Sequence, residues 1–255
     1  VQGDLDAVEK MNRWLSDWAN CNPPYLGPNW KCGQEASIRI MHLASAALIL
    51  SQQVNTSQAL LSLVEAHLQR IRPTLMYALA QDNNHGTSEA AALFVGGSWL
   101  VQNGSESGKK YQVLGRKWLN ERATRLIQPD GSFSQHSMVY HRLMMETYSL
   151  VEIWARSLVI EVFSAETVKR LSAAANWMRH LIDQSTGAAP NLGPNDGAHL
   201  LALTQADYRD FRPSTHLALA LFNGKSPFNE QGCLDHASWL GLSASAKGVG
   251  ECSSV

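Results

Sequence analysis

The sequence has no long apolar run. Nowhere do hydrophobic residues continue for the ~18 positions that a membrane-spanning helix requires. It has no surplus of one charge either: lysine plus arginine total 21 and aspartate plus glutamate 22, a formal net charge of -1. That balance gives no global basis for binding nucleic acid or a membrane surface, so a polyanionic ligand would need a local basic patch. Cysteine is scarce. Cys21, Cys32, Cys233 and Cys252 stand in no zinc-ligand spacing, and a disulfide among them has no support. No signal peptide is visible, and Val1 is not an initiator methionine, which points to a processed or trimmed N-terminus. The compartment stays open, leaning towards the periplasm or the outside of the cell. Segments alternating apolar and polar residues, as strands would, are missing too.

What is present is a 45% apolar composition with eight tryptophans, spread over enough chain to bury a large core. Leu5, Val8, Leu15 and Trp18 recur at helical spacing among charged residues, as in a one-sided amphipathic helix. After a Pro/Gly/Asn loop, the next helix, about Gln34 to Gln52, is apolar almost all round, as a helix buried on most sides would be. The same pairing recurs. Ser57 to Ala80 is amphipathic, with Pro73 as a kink site, and Ser88 to Gln102 is apolar all round. Lys109 to Ile127 is amphipathic and Gln135 to Val162 largely apolar. Glu166 to Asp183 is amphipathic, and Pro213 to Phe222 apolar. Beyond Asn223 no clear element is expected. Exposed-type and buried-type helices therefore alternate through successive pairs, which two concentric layers of helical hairpins explain. The expected fold is all-α, an incomplete (α/α) toroid of about four outer–inner hairpins over 1–225, with an irregular tail over 226–255.

The connections differ in kind. Turns from buried to exposed helices are short, whereas most of the opposite loops are long and rich in Asn, Asp, His, Trp and Gly. In antiparallel hairpins the long loops share one end, forming a mouth lined by Tyr25, Trp30, Asn84, His85, Phe133, Gln135, Asn191, Asn195 and Asp196. The central stretch is Asp82-Asn83-Asn84-His85-Gly86-Thr87-Ser88-Glu89. A plain turn and helix cap would not need a His between an Asn pair and a Gly. His136, Tyr140 and Met144 share a helix face by their spacing. Asn, His and Tyr together suit β-elimination from a uronic acid. The Asn84 amide can hydrogen-bond the sugar carboxylate and so acidify the C5 proton. A neutral base then removes that proton, and an acid protonates the departing oxygen, steps for which His85 and Tyr140 are fitted. Arg39 and His42, with Arg142, could attract an acidic sugar, and Trp30 or Trp99 could stack on its ring. Against these readings, Arg39 could pair with Glu35, and Tyr140, Trp99 and His136 could simply pack.

Trp30-Lys31-Cys32-Gly33-Gln34-Glu35 with Arg39, then Asn83-Asn84-His85-Gly86 with Glu89, then Asp130-Gly131-Ser132 with Gln135, Ser137 and Tyr140, resemble the heparinase II/III-like polysaccharide lyases in content and order. The resemblance is close over Trp30 to Tyr140 and looser over Pro190 to Phe211. It implies an incomplete toroid followed by a β-sandwich, and cleavage of an acidic polysaccharide by β-elimination without a cofactor. Asn84 would neutralise the carboxylate, His85 would assist as base or in binding, and Tyr140 would be the general acid, or acid and base. Trp30, Arg39, Glu89, Gln135, His136 and Asn191 would bind substrate, with no metal site in this chain. The family's further catalytic His comes from the β-sandwich, which is not recognisable here. The chain is then either part of a longer protein or a reduced relative, and His199, His216 and His236 have no assignment. Two other readings remain open: an α/α-toroid glycoside hydrolase using Glu35, Glu89, Asp130 or Asp196 as its carboxylic acids, and a non-catalytic carbohydrate-binding or polysaccharide-biosynthesis-associated protein.

Overall fold

The computed structural model describes residues 4–228 and 231–242. The chain is all-α, with no β-strand among the described residues and only two isolated antiparallel bridges, Ile127 with Phe133 and Ala188 with Asp210. It divides into two compact units, Val1–Trp118 and Leu119–Val255.

The first unit opens with α1 (Leu5–Cys21), capped by Asp4 but carrying no buried residue. α2 (Gly33–Ile49) buries Ile40, Met41 and five alanine or serine positions along one side. α3 (Gln58–Ile71) is amphipathic as expected. Pro73 stops it: Arg72–Thr74 form a 3-10 turn, and a separate short helix, α4 (Leu75–Ala80), follows. A proline cannot donate the hydrogen bond that would carry the α-helix through this point. α5 (Asn84–Gln102) is buried without interruption from Gly86 to Leu100, so its apolar circumference is met on all sides. Within the unit α5 meets α2, α3 and α4. Glycines let α6 (Lys109–Leu126) come close as well, since a Cβ on Gly97 would strike the backbone at Gly108 and Gln112, and one on Gly115 the backbone at Phe94.

The second unit contains α7 (Met138–Ser157), α8 (Ala165–Leu181), α9 (Arg212–Phe222) and the short α10 (Asp235–Trp239). α7 is buried from His141 to Val151, and α9 is buried over most of its length. α8 buries only one stripe, Thr167, Leu171, Ala174, Ala175 and Met178. Exposed-type and buried-type helices thus alternate along the chain as α3–α4 and α5, α6 and α7, α8 and α9, whereas α2, which follows the exposed α1, is buried along one side and not on most sides as expected. Each fully buried Leu, Phe or Met side chain contributes about 1.5–3 kcal/mol.

Three expectations need correction. Asn84 and His85 do not lie in a loop, because α5 begins at Asn84. Asn83 is its N-cap, accepting a hydrogen bond from His85 N at 2.9 Å. The Asx cap moves the start four residues ahead of Ser88, the residue that composition suggests. α7 starts at Met138 rather than Gln135, so His136 lies outside the helix, with φ 47°, and shares no helical face with Tyr140. The stretch after Asn223 is not irregular throughout, since a 3-10 turn at Gln231–Leu234 leads into α10. Cys21, Cys32 and Cys233 are free thiols, and Cys252 lies outside the described residues.

Candidate functional site

In the first unit, Asn84 and His85 occupy the first turn of α5. Backbone N–H groups there have no partner within the helix, and the positive end of the helix dipole favours an anionic ligand. Asn84 is buried and His85 half-buried. Burial lowers the His85 pKa below that of an ordinary imidazole, so the ring is neutral at pH 7 and can accept a proton.

The α2 N-terminus lies beside the same end of α5. A Cβ on Gly33 would collide with the Glu89 carboxyl, so glycine at the first residue of α2 is what admits that carboxyl. The Trp30 loop and the start of α5 at Asn84 therefore lie at one end of this unit. Glu89 is 3% exposed, and its Oε2 has no hydrogen-bond partner among the described residues. Burial raises its pKa to about 7, only partly offset by the charge of Arg70.

Trp30 and Arg39 do not have the freedom that a sugar platform or a free basic group needs. Trp30 is 2% exposed and its Nε1 donates to Asn22 O at 3.0 Å. Its ring packs on His67 with centroids 4.5 Å apart and meets Tyr25 edge-on. With no open face, it serves as a core residue. Arg39 donates from Nε to His67 Nε2 at 3.0 Å and from Nη2 to Asn29 O at 2.5 Å, and it lies over the Trp18 ring. Since arginine only donates, His67 must accept at Nε2 and donate from Nδ1 to Leu63 O, 2.8 Å away. Burial, with the adjacent Arg39 charge, holds the His67 pKa at about 4, consistent with that neutral tautomer. Arg70 binds the carbonyls of Trp30 and Lys31 and so pins this loop. Trp99 is likewise core, fully buried with Nε1 on Thr56 Oγ1 at 2.8 Å.

In the second unit, the 190–197 loop folds onto the start of α7. Ser137 caps the helix through Tyr140 N and donates to Pro194 O at 2.6 Å, while Met138 N donates to Leu192 O at 3.1 Å. A Cβ on Gly193 would strike His136 O and Ser137, and its φ of 71° suits glycine. This packing brings Asp196 to Tyr140, whose hydroxyl donates to Asp196 Oδ2 at 2.5 Å. That hydrogen bond, with burial and the aspartate charge, pushes the Tyr140 pKa up to about 12 and draws Asp196 down. Tyr140 therefore keeps its proton at all ordinary pH values, as a general acid must. Asn191 and Asn195 are exposed and joined by a side-chain hydrogen bond of 3.0 Å, and Tyr208 Oη donates to Asn195 at 2.8 Å. Gln135 is half-buried and His136 exposed just before the α7 cap.

Sequence reasoning missed a buried polar group beneath this loop. Glu146, on α7, is 1% exposed and accepts from Leu200 N, Leu201 N, Ser214 Oγ and His199 Nε2. Arg142, one turn earlier, is fully buried, donates to Tyr208 O at 2.7 Å and stacks against Tyr208 and Phe211. It is a structural clamp and not a free basic group for a sugar. The available signal was Arg142 and Glu146 at i, i+4 inside an otherwise apolar helix. Among the described residues no three His, Cys, Asp or Glu side chains converge as a metal-ligand set. No described helix is long and apolar enough to cross a membrane. A cavity of about 490 Å³ lies between α1 and the α2–α3 connection, at the C-terminal end of α2 and so away from Asn84. No family model, curated protein or solved structure matches the chain.

Proposed function

We propose that the chain is a polysaccharide lyase domain that cleaves a uronic-acid-containing glycan by β-elimination, built as the incomplete α/α toroid of the heparinase II/III-like type. The observation that carries this reading is the first turn of α5. It holds an amide, the buried Asn84, and a neutral imidazole, the half-buried His85, at the positive end of a buried helix. An amide donor neutralises the uronate carboxylate and acidifies C5–H, and the helix terminus adds to that effect. Tyr140, held protonated by Asp196, is our candidate for the acid that protonates the departing glycosidic oxygen.

Tyr140→Phe keeps the ring and removes only the proton-carrying oxygen. We expect the rate of unsaturated-product formation, followed by ultraviolet absorbance, to fall by about 10²–10⁴-fold. Because Tyr140 and Asp196 both face solvent, we expect stability to change by less than about 1 kcal/mol. Wild-type turnover in this variant would remove Tyr140 from the mechanism. One observation favours hydrolysis instead: Glu89, with a pKa near 7, has the titration of a glycosidase general acid. Its 3% exposure and position against Gly33 tell against contact with a sugar. Reducing ends formed without unsaturated product would favour hydrolysis, and binding without either product would favour a carbohydrate-binding role.

A further inference from the structure

The buried carboxylate Glu146 and the histidine beside it have no part in the reaction outlined above. Glu146 Oε2 accepts from Leu200 N at 2.8 Å and Leu201 N at 3.2 Å. Its Oε1 accepts from Ser214 Oγ at 2.6 Å and lies 3.1 Å from His199 Nε2. Burial pushes the Glu146 carboxyl up, but the His199 hydrogen bond, with the nearby Arg142 guanidinium, outweighs it, and the pKa lies below its ordinary value. A carboxylate can only accept, so His199 must carry its proton on Nε2. Nδ1 is then left with a lone pair. Among the described residues Nδ1 has no hydrogen-bond partner, and the side chain is 19% exposed while that of Glu146 is sealed. A buried carboxylate that fixes tautomer and ring orientation, with the opposite nitrogen open, is the arrangement of an oriented base.

The base and the partner of the acid stand on one loop. His199 follows Asp196, the partner of Tyr140, by three residues, so their Cα atoms lie within about 10 Å of each other. Asp196 Oδ1 accepts from Ala198 N, and Arg142 donates to Ala198 O, fixing the intervening turn. Tyr208, hydrogen-bonded to Asn195, stands edge-on to the His199 ring. Behind it, the His236 ring is 6.1 Å away, fully buried and neutral because burial lowers its pKa.

We propose that His199, oriented by Glu146, is the group that removes the uronate C5 proton, an inference that rests on the lyase reading. The C5–H bond breaks with its proton passing to Nδ1, and its electron pair forms the C4–C5 double bond. The C4–O bond breaks, and the departing oxygen takes the proton of Tyr140. Imidazolium and phenolate then return to their neutral forms by proton exchange through water. Glu146 stabilises the imidazolium through Nε2–H.

Two measurements test this. Nitrogen-15 NMR of the chain, with the His199 signals identified by their loss in His199→Gln, should show the Nε2–H tautomer; the Nδ1–H tautomer would overturn the proposal. On a polyuronate or a glycosaminoglycan, His199→Ala should lose about 10²–10⁴-fold in kcat with KM near that of wild type, and added imidazole should restore part of the loss. His199→Gln, whose amide still donates to Glu146, should keep the melting temperature and be equally slow. Near wild-type kcat, or a loss that imidazole does not relieve, would overturn the role of His199 and leave the lyase reading standing. A wild-type chain that forms no unsaturated product would overturn the lyase reading itself, and the inference with it.

Discussion

Glu89 in the first unit and Glu146 in the second are both almost completely buried on apolar helices, yet they titrate in opposite directions. Glu89 lies against Gly33 with one oxygen unpartnered, and burial lifts its pKa to about 7. Glu146 faces two backbone amides, a serine hydroxyl and an imidazole, and its pKa is lowered despite deeper burial. The difference shows that burial by itself does not decide the charge of an interior carboxyl. The donors aimed at it do, because each hydrogen bond stabilises only the ionised form that accepts it. One unit thus holds a carboxyl that is indifferent to losing its charge, and the other a carboxylate that organises a loop.

The strongest way to break this comparison is Glu146→Ala. It would leave two buried amides, Ser214 and His199 without their acceptor, and should cost about 3–5 kcal/mol in chemical denaturation. A loss below about 1 kcal/mol would mean that the network is not formed.

Glu89→Gln should act in the reverse sense. The folded-state pKa of Glu89 is raised, so its full contribution to stability is present below the ordinary value of 4.5 and is lost as pH rises through about 7. The variant should therefore match wild type in acid and exceed it by about 3 kcal/mol above pH 7. Equal pH-dependence in the two proteins would show that Glu89 is solvated. Glu146→Gln should show the opposite slope. The Glu146 pKa is lowered, so the wild-type advantage is present above the ordinary carboxyl range and shrinks as pH falls.

A third test addresses the contact that isolates Glu89. Gly33→Ala places a methyl group against its carboxyl and should cost about 1–3 kcal/mol. Combining it with Glu89→Ala should recover most of that loss, and purely additive effects in thermal unfolding would refute the contact. The smallest effects concern helix caps. Ser57→Ala, removing the bond to Leu60 N in the first unit, should cost about 1 kcal/mol or less. Ser137→Ala should cost about 2 kcal/mol, because the Ser137 hydroxyl also ties Pro194 to the start of α7. Hydrogen exchange should show faster opening of the 190–197 loop only in the second variant.

Local periodicity in the sequence determined the helices and their alternation between exposed and buried types, because a helix that is apolar all round can be satisfied only in an interior. It also placed Asn84, His85 and Tyr140 near helix starts, since turn and cap residues act over three or four positions. It did not locate those starts. Asn83 and Ser137 cap their helices through specific side-chain geometry, and so the Asn84-His85 pair moved into α5 while His136 moved out of α7. The fates of Trp30, Arg39 and Arg142 were likewise invisible, because a tryptophan or an arginine reads the same whether its partner is solvent, a sugar or a buried ring. Only the tertiary structure brought His67 to Arg39, Asp196 to Tyr140, and Glu146 to His199. Their partners lie 28, 56 and 53 positions away in the chain, beyond the reach of any local pattern, and it is the packing of whole helices and loops that brings them into contact.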